Sequence, residues 1–226
     1  MPKRRFPRLC LTTEQFKLSD NGKVFAVTDL STGGMGIRVL DREDLAIFPV
    51  LREIKGTLKI RDGKFPIKAR VCNVRKDSVG CEFINVSKKT SAAVKEFLDP
   101  LRLGPDLKPV PLEEEGASWF HGTTGTDVLV WKSPSGDISR FGVYIFGTYV
   151  QWEPGEGLTS GRIVGAADEE TVPSGIIRLE TMILDPDPSP DEGKVGIAKT
   201  LILSSNLAQE LQNFLSLKMA GEKHGT

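Results

Sequence analysis

The strongest constraint in this sequence is an alternation of apolar and polar residues between positions 8 and 87, cut into short runs by turn formers. Alternation puts successive side chains on opposite faces of an extended chain, so it fits strands with one buried face rather than helices. It predicts six strands: Leu9–Leu18, Lys23–Asp29, Met35–Leu40, Glu53–Ile60, Phe65–Arg75 and Val79–Asn85. The breaks are Ser19-Asp20-Asn21-Gly22, Thr32-Gly33-Gly34, residues 41–50, Arg61-Asp62-Gly63 and Lys76-Asp77-Ser78. Asn-Gly and Asp-Gly between alternating segments mark tight hairpins. Short strands joined this way predict a small closed antiparallel β-barrel, an arrangement that also removes exposed sheet edges.

At Ser87 the period changes. Val94, Phe97, Leu98 and Leu101 fall at helical spacing, with Ser87 or Thr90 as N-cap and Pro100 near the end of the regular helix. Residues 104–116 hold three prolines, a glycine at each end and the triplet Glu113–Glu115, which predicts a semi-rigid linker. The expected division is therefore a domain at 1–103, a linker at 104–116 and a second domain at 117–226. That second part again reads mainly as strand: Val128–Lys132, Ile138–Val143, Tyr144–Trp152, Gly161–Val164, Ile176–Leu184 and Ala198–Leu203. Residues 185–193 predict a solvated Pro/Asp loop. Ser204–Ala220 predicts an amphipathic helix through Leu207, Leu211, Phe214, Leu215 and Met219, capped by Ser204 or Ser205 and stopped by Gly221. The fold class is mainly β: a six-stranded antiparallel barrel with a closing helix, then a β-rich α+β domain ending in a helix.

Charge divides at the same place. The chain carries 30 Lys and Arg against 30 Asp and Glu, but residues 1–103 hold 21 basic and 12 acidic side chains and residues 104–226 hold 9 and 18. Opposite surpluses of nine imply two domains with different partners. No apolar run approaches the roughly 18 residues of a membrane span, and the basic N-terminus lacks the apolar stretch of a secretory signal, so a cytoplasmic location is expected. Cys10, Cys72 and Cys81 are odd in number and lack CxxC spacing, which argues against a disulfide framework or zinc site. His121 and His224 are the only histidines, which disfavours a histidine metal site. His121, Asp127 and one of Thr123, Thr124 or Thr126 could be drawn as a nucleophile–His–Asp set, but no elbow or oxyanion signature accompanies them. No catalytic residue, metal or cofactor is assigned, and an enzyme is the least supported class. The aromatic residues of the second half, Trp119, Trp131, Trp152, Phe141, Tyr144, Phe146 and Tyr149, read as core or interface.

Two short segments carry chemistry. Lys3-Arg4-Arg5-Phe6-Pro7-Arg8 places three arginines within five positions beside a stiffening proline. Guanidinium groups bind phosphate bidentately, stack on flat bases and match the O6/N7 edge of guanine. The plain alternative is a solvated basic tail. In Asp29-Leu30-Ser31-Thr32-Gly33-Gly34, alternation sets Val27, Asp29 and Ser31 on one face. A carboxylate there can accept from guanine N1–H and N2–H, and a serine hydroxyl can bond phosphate or base. Gly33 and Gly34 would allow a sharp turn and close ligand approach. The alternative is a β-turn whose Asp and Ser bond local amides.

In this order and spacing, RxxxR (Arg4, Arg8) before a six-stranded barrel and DxSxxG (Asp29, Ser31, Gly34) some twenty residues on resemble the PilZ family of cyclic di-GMP receptors. The resemblance spans about residues 3–103 and includes RRFPR, DLSTGGMGIRV, FPIKARV and GCEFINVS. It implies that Arg4 and Arg8 hold phosphates and guanines of cyclic di-GMP, with Arg5 as a stacking partner. It further implies that Asp29 and Ser31 bond guanine edges and phosphate while Gly33 and Gly34 shape the turn. In the family the arginine arm closes over the ligand and changes how the barrel meets its neighbour. The function so implied is a bacterial second-messenger receptor signalling to an unidentified effector protein. The second half resembles the β-rich domain that follows PilZ in some bacterial proteins, and an output or oligomerisation role is expected of it, which leaves a homo-oligomer open. Its acidic surplus could pack against the basic barrel or a basic partner. Two other classes compete: a PilZ-like adaptor without nucleotide binding, and a nucleic-acid-binding small barrel. The last is disfavoured because the basic residues cluster at the arm without an aromatic base-stacking face.

Overall fold

Alternation becomes a barrel through an unbroken circuit of antiparallel pairings. The computed structural model describes residues 9–10, 13–112, 116–122, 125–166 and 182–221. Its first strands are β1 (Leu9–Cys10), β2 (Gln15–Leu18), β3 (Val24–Ser31), β4 (Gly34–Arg38), β5 (Glu53–Ile60), β6 (Gly63–Val74) and β7 (Ser78–Phe83). Six of them close in the order β3-β2-β5-β6-β7-β4, with β4 returning to pair with β3, and the two-residue β1 adds to the other side of β3. The inward positions, among them Phe16, Leu18, Leu30, Met35, Ile37, Ile54, Leu58 and Val71, are almost wholly buried. Burying such side chains contributes about 1.5–3 kcal/mol each before the entropy of ordering them is subtracted.

Three features of the chain up to residue 103 go beyond the expected pattern. The expected first strand, 9–18, is two strands, β1 and β2, with β3 paired to both. Within residues 41–50 a single helical turn, α1 (Arg42–Leu45), is capped by Asp41, whose carboxylate accepts from the Glu43 N–H. Phe48 beyond it is fully buried and meets the Phe25 ring edge-on at 5.1 Å. The closing helix divides at Pro100. Helix α2 (Lys88–Phe97) starts at Ser87, whose hydroxyl accepts from the Thr90 N–H. A new turn, α3 (Pro100–Leu103), starts with Asp99 as cap and Pro100 in its first turn, where a missing N–H costs nothing.

The chain falls into two units, Met1–Leu98 and Asp99–Thr226. The segment expected as a linker therefore belongs to the second unit over its described residues. A 3-10 turn at Gly104–Asp106 leads into β8 (Lys108–Val110), which pairs with the next strand. A Cβ on Gly104 would lie 2.1 Å from Ser204 Oγ, and Asn206 Nδ2 donates to the Pro105 carbonyl at 3.1 Å. This packing holds the 3-10 turn against Ser204 and Asn206.

The second unit is a seven-stranded meander: β8, β9 (Ala117–Gly122), β10 (Thr126–Lys132), β11 (Ile138–Ile145), β12 (Thr148–Glu153), β13 (Gly157–Ala166) and β14 (Met182–Pro186), adjacent in chain order. The expected strand 176–184 is described only from Met182. Phe146 and Gly147 both have positive φ (58° and 66°), the two-residue hairpin geometry that divides β11 from β12. Helices α4 (Glu192–Ser204) and α5 (Gln209–Met219) follow.

Helix α4 corrects the expectation of a strand at Ala198–Leu203. A short apolar run does not by itself distinguish strand from buried helix. Here Asp191 decides, because its carboxylate accepts from the Lys194 N–H and starts a helix seven residues before the run. Ala198, Leu201 and Ile202 then fall on one buried face. The loop before it is pinned rather than free: Ser160 Oγ donates to Asp187 at 2.6 Å, and Lys194 Nζ pairs with Asp187 at 2.5 Å. The last helix starts later than expected, at Gln209, with no side-chain cap at Ala208. Replacing Asp191 by Ala is expected to destabilise the second unit by about 0.5–2 kcal/mol, the usual worth of an N-cap. Denaturant unfolding checks this, and an unchanged midpoint would mean that Asp191 does not hold the helix start.

Candidate functional site

The site begins at a β-bulge. Between β3 and β4, Val27 opposes Ile37 and Leu30 opposes Met35, all four side chains being core, while Asp29 opposes Gly36 and Thr28 is the extra residue. A bulge switches which face the following side chains point to. The expected common face of Val27, Asp29 and Ser31 is therefore broken. Val27 points into the core, and Asp29 and Ser31 share the opposite, outer face with Gly34 and Gly36. Asp29 is half-buried there.

Ser31 opposes Gly34 across a two-residue turn, Thr32-Gly33. Its hydroxyl accepts from the Gly33 N–H and donates to the Gly34 carbonyl, both at 3.3 Å, and the residue is 3% exposed. Ser31 thus braces its own turn. Gly34 is not in the left-handed region. It is glycine because β4 and β7 approach closely, and a Cβ would lie 2.2 Å from the Cys81 carbonyl oxygen. Gly36 has the complementary reason: a Cβ there would lie 2.1 Å from Asp29 Oδ2. The carboxylate leans across the neighbouring strand into space that any other residue would fill. Gly36 was not singled out by sequence reasoning, although the Gly-Gly-Met-Gly spacing puts Gly34 and Gly36 on one face.

Arg4, Arg5 and Arg8 lie outside the described residues. The chain that follows them is β1, with Leu9 opposite Leu30 and Cys10 opposite Asp29. The residue after Arg8 is thus paired between the two polar positions of the DxSxxG segment.

A family model described as the PilZ domain matches residues 2–99. Residues 2–99 are a PilZ domain. PilZ domains bind ligands or act as adaptors, and the family is generally one of cyclic di-GMP receptors. Among solved structures, the chain is similar to the PilZ domain of CeSA from a cellulose synthesizing bacterium, at 12% identity and a TM-score of 0.31, over 45% of this chain and 96% of that one. The chain has no match among curated proteins. No helix among the described residues is long and apolar enough to cross a membrane.

Beyond the PilZ domain, the structure brings together two residues of the nucleophile–His–Asp set. His121 Nδ1 lies 2.7 Å from Asp127 Oδ1, so the ring donates from Nδ1, and Trp119 Nε1 donates to the same oxygen at 2.7 Å. Thr126 is 1% exposed, which bars it from meeting a substrate, and Thr123 and Thr124 lie outside the described residues. Asp127 is fully buried and raises the His121 pKa above its usual 6.5, against the smaller opposing effect of burial. A raised value means the folded state favours the imidazolium. The stabilisation is therefore complete below about pH 6.5 and lost as pH rises through the folded value. Thermal unfolding of the second unit is expected to soften over that rise, and His121→Gln to remove the pH dependence. A variant with the wild-type pH profile would show that this pair is not its source.

Proposed function

We propose that the PilZ domain, within residues 1–103, is a cyclic di-GMP receptor whose ligand sits on the outer face at Asp29, Ser31, Gly33 and Gly34 and is also bound by Arg4, Arg5 and Arg8. The observation that carries this reading is the pairing of Leu9 and Cys10 with Leu30 and Asp29, which attaches the chain directly after the RxxxR segment to the DxSxxG strand. Arg4 and Arg8 supply forked donors to the phosphates and to guanine O6 and N7, and Arg5 supplies a flat cation for stacking. Asp29 accepts from guanine N1–H and N2–H. Ser31 keeps the turn in shape, and Gly33 and Gly34 let the ligand approach the backbone. The second unit is the output or oligomerisation module, and an effector protein receives the signal.

Calorimetric titration of the full chain with cyclic di-GMP tests this. Saturable binding is expected for wild type. Arg8→Ala and Asp29→Ala each remove charge-assisted hydrogen bonds worth about 1.5–3 kcal/mol, and so are expected to weaken it about 10- to 150-fold. Wild-type affinity in Arg8→Ala would overturn the site. No heat with wild type would overturn nucleotide binding and favour the adaptor.

A further inference from the structure

The barrel carries a second bulge, and it mirrors the first. Between β6 and β7, Val71 opposes Cys81 and Asn73 opposes Gly80, with Cys72 as the extra residue. Val71 is fully buried, like its counterpart Val27, and Asn73 is re-aimed outward as Asp29 is. The partner is again a glycine. A Cβ on Gly80 would lie 2.7 Å from Asn73 Oδ1 and 2.8 Å from its Nδ2, so the carboxamide leans over Gly80 as the Asp29 carboxylate leans over Gly36. The two glycines are themselves directly opposed across β4 and β7. One row thus crosses four strands on the outer face: Asp29, Gly36, Gly80, Asn73. At its centre the sheet has no side chains, and at each end a bulge tips a polar planar group inward.

Opposed Cβ positions in an antiparallel pair lie about 4.5–5.5 Å apart. Each polar group rests against one of these two positions, so the carboxylate and carboxamide are within reach of a single planar ligand edge. No hydrogen bond holds the Asn73 carboxamide among the described residues, and the residue is exposed. A carboxylate offers only acceptors, whereas a carboxamide offers both donors and an acceptor. That pair matches an edge with adjacent N–H donors and a neighbouring carbonyl or ring nitrogen, which guanine presents. Adenine presents an amino donor beside ring-nitrogen acceptors, one of which would face the carboxylate and leave it unpaired.

We propose that Asn73 is a base-reading residue that, with Asp29, holds one guanine across the Gly36–Gly80 floor and selects it over adenine. The assignment rests on the nucleotide-receptor reading above, and it adds a specificity element from a part of the barrel some forty residues after the DxSxxG segment. Asn73 donates its amide N–H to guanine O6 or N7 while Asp29 accepts from N1–H and N2–H. Asn73 therefore contributes to discrimination more than to overall attraction, since it brings no charge to the phosphates.

Calorimetry of the full chain with cyclic di-GMP and cyclic di-AMP, on wild type, Asn73→Ala, Asn73→Leu and Asp29→Ala, tests the assignment. Asn73 is exposed, so its variants are expected to fold, and circular dichroism confirms this. The expected result is a loss of about tenfold in cyclic di-GMP affinity for both Asn73 variants, with cyclic di-AMP binding unchanged, so that the preference narrows. Wild-type affinity and preference in Asn73→Ala, together with a loss in Asp29→Ala, would overturn the Asn73 assignment and leave the receptor reading intact. An equal loss for both nucleotides would overturn base reading at Asn73. Absence of cyclic di-GMP binding by wild type would overturn the receptor reading and this assignment with it.

Discussion

The close approach of β3, β4 and β7 is what the rest of the barrel's outer face depends on. Gly34 has a carbonyl of β7 where a Cβ would go, and Gly36 has a carboxylate of β3 in the equivalent place. Because β4 closes the circuit between β3 and β7, any bulk at these positions would press on barrel closure and on the Asp29 side chain together. A single packing requirement thus links stability to site geometry. The core side of the same strands, Val27 and Leu30 against Ile37 and Met35, fixes the register, and the bulge at Thr28 lets a regular interior coexist with a polar exterior.

Most of the first unit was legible in the sequence because its strands bury one face, and one-sided burial writes alternation into the chain. The six-stranded barrel follows from that pattern, and helix α2 from the helical spacing that replaces it after its cap at Ser87. The bulges did not, since one extra residue disturbs a period-two reading only locally. The expected face shared by Val27 and Asp29 failed at that point. Asn73 and Gly80 were invisible for a related reason: they sit on either side of one hairpin, and only the bulged β6–β7 register sets them opposite each other.

The second unit was less legible because many of its segments are buried on more than one side. The run at Ala198–Leu203 is apolar enough to mask its period, and the helix is announced instead by Asp191, outside the run. Pro100 read as a stop and also proved to be a start, since the first turn of a helix is the one helical place that tolerates proline. The His121–Asp127–Trp119 cluster was foreseeable only as residue types. The β9–β10 register is what lays both donors on one carboxylate oxygen.

The central claim is that the outer face around Asp29 is the ligand face of the PilZ domain. Backbone amide chemical shifts of the isotope-labelled full chain, followed while cyclic di-GMP is added, test it most directly. The account predicts that saturable shifts concentrate at Asp29, Gly34, Gly36 and Gly80. Shifts that are absent, or that fall only on residues of the second unit, would contradict it.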